Sequence, residues 1–97
     1  MPLDLKTHIE AFVWHLEKER QLSPHTVDAY RRDLRLLTNF CERTSLGIES
    51  LDSYAVRQFA AECHRRGSSP RSIARRLSAI RSFLAFMVRG GIIKSNP

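Results

Sequence analysis

Four stretches of the chain place apolar residues at the three- and four-residue spacing of an amphipathic helix, and short polar segments separate them. This periodicity predicts helices over about residues 4–20, 24–43, 53–66 and 70–89. No pair of alternating segments joined by a two-residue turn is present, so no β-hairpin is expected. The pattern therefore predicts a compact all-α fold of four helices.

The predicted core is the sum of the four apolar stripes. Its members are Leu5, Ile9, Phe12, Val13 and Leu16 in the first helix; Val27, Tyr30, Leu34, Leu37 and Cys41 in the second, with Phe40 at the margin; Val56, Phe59, Ala60 and Cys63 in the third; and Ile73, Leu77, Ile80, Leu84, Met87 and Val88 in the fourth. Two large aromatic residues, Trp14 and Phe86, fall outside these stripes. An exposed tryptophan such as Trp14 either lies over a neighbouring helix or contacts another protein.

The second and fourth predicted helices begin with the same signal. Each start has a serine suited to the N-cap and then a proline, whose missing N–H costs nothing at the first helical position: Ser23-Pro24 and Ser69-Pro70. A hydroxyl residue follows in both first turns, Thr26 and Ser72. Such starts are suited to hold phosphates on both sides of a duplex, although Ser-Pro is also an ordinary helix start.

The third helix has clear limits in the sequence. Asp52 is expected to cap its start, and Gly67 suits the left-handed conformation that ends a helix. The connection through Gly67-Ser68-Ser69 is short enough for a helix-turn-helix, which keeps a transcriptional regulator among the alternatives.

Length and composition limit the classes that need to be considered. Ninety-seven residues make one small domain. No apolar run approaches the roughly 20 residues of a membrane span, and the N-terminal residues lack the order of a signal peptide, so a cytoplasmic protein is expected. Cys41 and Cys63 are expected to be buried reduced thiols. The sequence contains no recognisable metal site, cofactor motif or catalytic constellation, so no catalytic residue is assigned.

Charge is distributed unevenly along the chain. The formal net charge is +6, and residues 63–97 contain eight basic and no acidic side chains. The fourth helix directs Arg71, Arg75, Ser78, Ser82 and Arg89 away from its apolar stripe. Because acidic partners at helical spacing are missing, Arg71, Arg75 and Arg76 are expected to find their partner in another molecule. Nucleic acid is the favoured partner, and an acidic protein bound by a helical adaptor domain is the alternative.

These residues also resemble a known family. The segments Leu22-Ser23-Pro24-x-Thr26-x-x-x-Tyr30-x-x-Asp33-Leu34 and Ser69-x-x-Ser72-Ile73-x-x-x-Leu77-Ser78-Ala79-Ile80-Arg81-Ser82-Phe83, closed by Gly91-x-x-x-x-Asn96-Pro97, are similar to the N-terminal core-binding domain of tyrosine recombinases. The similarity is greatest to the Xer group. Within that group, Arg57-Gln58-Phe59-Ala60 and Arg65-Arg66-Gly67 resemble the XerC branch more than the XerD branch.

The resemblance implies a four-helix SAM-like domain, residues 1–91, that forms half of a clamp on double-stranded DNA. Residues 92–97 would begin a linker to a catalytic domain carrying the tyrosine nucleophile. A second, XerD-like recombinase in a tetramer on DNA is implied as the partner, and exposed aromatic side chains at Trp14 and Phe86 would suit contacts within that tetramer. The predicted DNA contacts are His25, Thr26, Arg32, Arg35, Ser69, Arg71, Ser72, Arg75 and Arg76, and Arg75 is the residue expected to read a base.

Overall fold

The computed structural model describes residues 5–94, in which four α-helices are joined by short connections. Helix α1 spans Leu5–Lys18, α2 spans Pro24–Thr44, α3 spans Ser53–Arg65 and α4 spans Pro70–Arg89. A short 3-10 helix, Ile48–Ser50, interrupts the connection between α2 and α3, which the sequence predicted to be a loop. The all-α prediction is confirmed, and none of the described helices combines the length and apolar character needed to cross a membrane.

The helix starts follow the sequence signals. Ser23 and Ser69 have extended backbone conformations, and each side-chain oxygen accepts a hydrogen bond from the backbone N–H three residues later, at 3.3 and 3.1 Å. Asp52 caps α3 in the same way, because its carboxylate accepts from the N–H of Ala55 at 2.9 Å. These caps satisfy backbone donors that a helix cannot satisfy internally, so they fix where α2, α3 and α4 begin.

Two glycines end helices with positive φ angles. Gly67 has φ 89° after α3, and Gly91 has φ 74° after α4. In each case the next residue donates its N–H to a carbonyl five residues earlier, Ser68 to Cys63 and Ile92 to Met87, both at 3.0 Å. This bond pattern is the Schellman motif, in which glycine avoids the steric cost of the left-handed conformation. The α3 motif sets the direction in which the chain enters α4.

The core lies where α1, α2 and α4 meet, and Phe12 is at its centre. Only 1% of Phe12 is exposed, and its ring lies 5.6 Å from Phe83, 5.3 Å from Phe86 and 5.9 Å from Tyr30. A second aromatic pair, Phe40 and Phe59 at 5.6 Å, joins α2 to α3. The aromatic contacts thus hold α2 and α4 side by side.

The buried face of α4 is rotated from the stripe that the sequence predicted. Phe83 and Ala79 are buried, although neither was included, whereas Ile73, Leu77 and Val88 are only half-buried. Helix α4 packs against three other helices, α1, α2 and α3, so the side that carries Phe83 and Ala79 is covered, and Ile73, Leu77 and Val88 lie at the margin of the buried arc. Ile93 also packs against the core beyond the end of α4. Ser95–Pro97 lie outside the described residues, so the linker beginning at residue 92 stays a prediction.

Candidate nucleic-acid interface

An open pocket of about 320 Å³ lies between α2 and α4. Helix α2 contributes His25, Thr26, Ala29, Tyr30 and Asp33 to it, and α4 contributes Arg75, Ser78 and Ala79. Three of the predicted DNA-contacting residues, His25, Thr26 and Arg75, therefore share one concave surface. We call the exposed sides of α2 and α4 around this pocket the α2–α4 face.

Asp33 joins the two helices at this face. Its residue is 2% exposed, and its Oδ2 and Oδ1 atoms accept hydrogen bonds from Arg75 Nε at 3.0 Å and Nη2 at 2.9 Å. Hydrogen bonding to the carboxylate and its negative charge both raise the pKa of Arg75. A two-point bond of this kind fixes the plane of the guanidinium as well as its position. The side chain of Arg75 remains 54% exposed, whereas that of Asp33 is only 3% exposed, so the arginine is at the surface and the carboxylate is buried beneath it.

Arg76 lies behind this pair and is largely buried. Its side chain is 17% exposed, its Nε is 3.7 Å from Asp33 Oδ1, and its Nη1 donates to Ser68 Oγ at 2.7 Å. The guanidinium thus connects α2 to the turn before α4. The expectation that Arg75 and Arg76 lack acidic partners is wrong, because spacing along α4 shows only partners on the same helix, whereas Asp33 comes from α2.

Another basic cluster is neutralised in a similar way. Glu62 of α3 pairs with Arg43 of α2 and with Arg66, whose Nε is 3.2 Å from the carboxylate. The uninterrupted positive charge of residues 63–97 is therefore reduced in space by acids from earlier in the chain. Arg71, in the first turn of α4, differs from these residues: it is exposed, and it has no ion pair with any residue in the described range 5–94.

The two helix starts at this face offer fewer backbone donors than the sequence suggested. In α2 the N–H of Thr26 is bonded to the Ser23 side chain and that of Val27 to the Ser23 carbonyl, and Pro24 has none. The N–H of His25 remains for an outside acceptor. The same bonds in α4 leave the N–H of Arg71. Each start therefore presents one backbone N–H together with the positive end of the helix dipole.

The remaining predicted contacts on α2 do not all lie beside α4. Arg32 directly precedes Asp33 and is exposed. Arg35 is one helical turn beyond Arg31, whose Nη2 is 3.5 Å from Glu17 of α1. Because residues four apart share a side of a helix, Arg35 lies toward the α1 side of α2. Ser69 and Ser72 are used in the cap of α4, where their hydroxyl groups are 3.1 Å apart.

The two candidate protein-contact aromatics have different environments. Trp14 is 56% exposed, as predicted. Phe86 is half-buried, and its ring lies 5.3 Å from Phe12 and 5.2 Å from His15. The expectation that Phe86 is exposed is wrong, because α1 packs over the side of α4 that the single-helix projection left open.

Cys41 and Cys63 are buried free thiols, as predicted. Burial raises the pKa of Cys41 to about 11, and the negative charge of Glu42 adds to this shift. The thiol is therefore protonated and unreactive in the folded protein near neutral pH. Within residues 5–94, no group of three or more His, Cys, Asp or Glu side chains is arranged to hold a metal ion.

Asp33 is the central acid of the site, and it is absent from the residues predicted to act there. A signal was available: Asp33 lies in the apolar stripe of α2, three residues after Tyr30 and four before Leu37. An ionisable side chain at a buried position requires a charged partner, because an unpaired charge is costly to bury. The arginine-rich outer side of α4 was the obvious source of such a partner.

Comparison with known families identifies the class of protein to which this four-helix domain with a basic face belongs. Residues 9–91 match the family described as phage integrase, N-terminal SAM-like domain, and the chain belongs to this family. The fold is also that of the crystal structure of the N-terminal domain of a phage integrase/site-specific recombinase from Haloarcula marismortui. That structure has a TM-score of 0.81, 15% identity, and coverage of 95% of this chain and 88% of the other.

The chain is similar to proteins named tyrosine recombinase XerC. It is 42% identical to that of Pseudomonas syringae pv. tomato, over 96% of this chain and 31% of the relative. It is 47% identical to that of Xanthomonas campestris pv. campestris, over 92% of this chain and 28% of the relative. The predicted similarity to the XerC branch is confirmed, and the chain spans about three tenths of the length of these relatives.

Proposed function

We propose that this chain is the DNA-binding module of a XerC-like site-specific tyrosine recombinase and that its α2–α4 face clamps one side of a recombination half-site. The observation that carries the proposal is the pocket between α2 and α4, where the start of α2 and the second and third turns of α4 bring imidazole, hydroxyl and guanidinium groups together. Guanidinium and hydroxyl groups are common hydrogen-bond donors to the phosphate backbone. Membership of the integrase family supports the choice of duplex DNA over an acidic protein.

The contacts differ in their proposed roles. Arg71 and Arg32 neutralise phosphates, since both are exposed and neither has an ion pair among residues 5–94. His25 and Thr26 add hydrogen bonds at the start of α2. Arg35 is exposed toward the α1 side of that helix, so it would reach the phosphate backbone only beyond the α2–α4 face. Ser69 and Ser72 hold the start of α4. Arg76 supports the site from inside, by holding Asp33 and Ser68 together.

The relatives suggest a larger context. They are named tyrosine recombinases and are about three times longer than this chain. In the proposed whole protein, a catalytic domain would cut and rejoin DNA strands, and a XerD-like partner would complete a tetramer in the cytoplasm that resolves chromosome dimers. Phosphate and base contacts would then come from this domain, and the chemistry from the other.

Binding of the chain to duplex DNA across a salt series tests the proposal. If about four phosphates are neutralised, the slope of log K against log salt is expected near −3.6, and Arg71→Ala should flatten it by about 0.9. Arg57→Ala is the matched control, because Arg57 is an exposed arginine on α3, outside the α2–α4 face. No binding at low salt would refute the proposal and favour an acidic protein partner. Equal effects of the two variants would show diffuse attraction rather than a defined interface.

The proposed tetramer contact has its own test. Trp14 is exposed on α1, so Trp14→Ala should leave the melting temperature and binding to one half-site unchanged and should weaken cooperative binding to paired half-sites by full-length protein. Phe86→Ala is expected to lower the melting temperature instead, because the Phe86 ring packs on Phe12 and His15. Unchanged cooperativity in Trp14→Ala would remove Trp14 from the interface.

A further inference from the structure

The Asp33–Arg75 pair leaves one edge of the guanidinium open. A guanidinium has five N–H donors in a fixed plane. Asp33 accepts from Nε at 3.0 Å and from Nη2 at 2.9 Å. Both donors of Nη1 and the second donor of Nη2 have no acceptor among residues 5–94. One donor of Nη1 and the free donor of Nη2 form the terminal edge of the guanidinium, next to the edge that the carboxylate holds, on a side chain that is 54% exposed.

The carboxylate that holds Arg75 is itself fixed. The Asp33 side chain is 3% exposed in the middle of α2, and Nε of the largely buried Arg76 lies 3.7 Å from Asp33 Oδ1. Arg76 is held in turn by Ser68 in the turn that precedes α4. The direction of the open edge of Arg75 is therefore set by the packing of α2 against α4 rather than by the side chain alone.

This arrangement suits a base better than a phosphate. Asp33 neutralises the charge of Arg75 locally, which weakens its attraction for a phosphate. The fixed direction of its N–H donors is what Arg75 can still offer. Nη1 and Nη2 present two parallel donors, which match the O6 and N7 acceptors of guanine in the major groove. A flexible, unpaired arginine such as Arg71 is the better phosphate ligand, since phosphate contacts need charge more than orientation.

We propose that Asp33 is a positioning residue for sequence recognition: it holds Arg75 so that the open edge of the guanidinium reads a guanine. This inference rests on the proposed function, because it requires the α2–α4 face to meet DNA. It assigns the two charged residues of the pair separate tasks, with Arg75 touching the base and Asp33 acting through Arg75.

Selection from a duplex library with randomised central base pairs tests the inference, with far-UV circular dichroism melting as the folding control. The wild-type chain should enrich guanine at one position. Arg75→Lys keeps the cation but loses the two-donor fork, so it should lower that preference about 5- to 150-fold, the range that one bidentate base contact supplies, without changing the salt slope.

Two substitutions of Asp33 separate its charge from its position. Asp33→Asn removes the charge and frees Arg75, so the guanine preference should fall and the salt slope should steepen by up to about 0.9. Asp33→Glu keeps the charge but displaces the carboxylate by one methylene, so the preference should fall with the slope unchanged. In the Arg75→Lys background, neither change should reduce the preference further.

The outcomes distinguish the inference from the proposed function. Binding without any base preference, or a guanine preference that survives both Asp33 variants while they remain folded, would overturn the inference and leave the DNA-binding proposal in place. A reduced preference that is equally large in the Arg75→Lys background would also overturn it, because Asp33 would then act independently of Arg75. Failure of the wild-type chain to bind any duplex would overturn both.

Discussion

Phe12 is the residue whose removal should most clearly reveal how the domain is held together. It belongs to α1, is 1% exposed, and its ring lies within 6 Å of Tyr30 on α2 and of Phe83 and Phe86 on α4. Phe→Ala changes at buried positions cost about 3–5 kcal/mol, because the transfer free energy is lost and a cavity is left. A domain of this size has a total stability of about 5–15 kcal/mol. Phe12→Ala should therefore remove a large part of it.

The expected effect can be measured by thermal and denaturant unfolding. For a domain of about 100 residues, 1 kcal/mol corresponds to about 4–8 °C, so Phe12→Ala should lower the melting temperature by about 12–40 °C. Phe12→Leu retains most of the apolar volume but loses the ring contacts, so it should cost only about 1 kcal/mol. DNA affinity measured well below each melting temperature should be unchanged, since Phe12 lies outside the α2–α4 face. An Ala variant as stable as the Leu variant would refute the view that this ring organises the core.

Three further predictions concern helix ends and a buried thiol. Gly67→Ala should destabilise the domain by about 1 kcal/mol in a urea titration, because an alanine is strained at φ 89°. Gly90 has φ −82°, and a methyl group there would make only ordinary van der Waals contacts, so Gly90→Ala should be neutral or slightly stabilising. Ser69→Ala should cost about 1 kcal/mol through loss of the α4 cap, seen as a lower urea midpoint with an unchanged m-value. Burial raises the pKa of the Cys41 thiol from 9.0 to about 11, so the unfolded chain loses the thiol proton at lower pH than the folded protein does. The free energy of unfolding should therefore fall between pH 9 and 11. The fall should be smaller in Cys41→Ala. Equal pH slopes for the two proteins would contradict this assignment.

Local signals predicted the helices well because each acts over a few residues. The Ser-Pro starts, the Asp52 cap and Gly67 each place a donor, an acceptor or a backbone conformation where a helix needs it. The helix limits that these signals predict therefore agree with those of the structure. The end of α1 at Lys18 was less well defined, since the sequence carries no equally strong stop signal there.

The packing of helix faces could not be predicted in the same way. A helical projection ranks positions by the side chains of one helix, whereas burial depends on how many neighbours that helix has. Phe86 is a clear case, because α1 packs over a position that the α4 projection assigns to solvent. Phe83, with 0% exposure, is another. Only the arrangement of the helices decides which of two apolar sides is more deeply buried.

Charge gives the most informative difference between sequence and fold. The excess of arginine in residues 63–97 indicated a nucleic-acid partner, yet Asp33 and Glu62 fold against three of those arginines, Arg66, Arg75 and Arg76. Counting every arginine as a phosphate ligand therefore overestimates the charge available to DNA, and the measured salt slope becomes an independent count. A slope near −3.6 agrees with binding by the unpaired cations. A steeper slope that Asp33→Asn leaves unchanged would mean that Arg75 already leaves its carboxylate when DNA binds. In that case the Asp33–Arg75 pair would be a contact of the free protein, and a base-reading role that depends on it would be excluded.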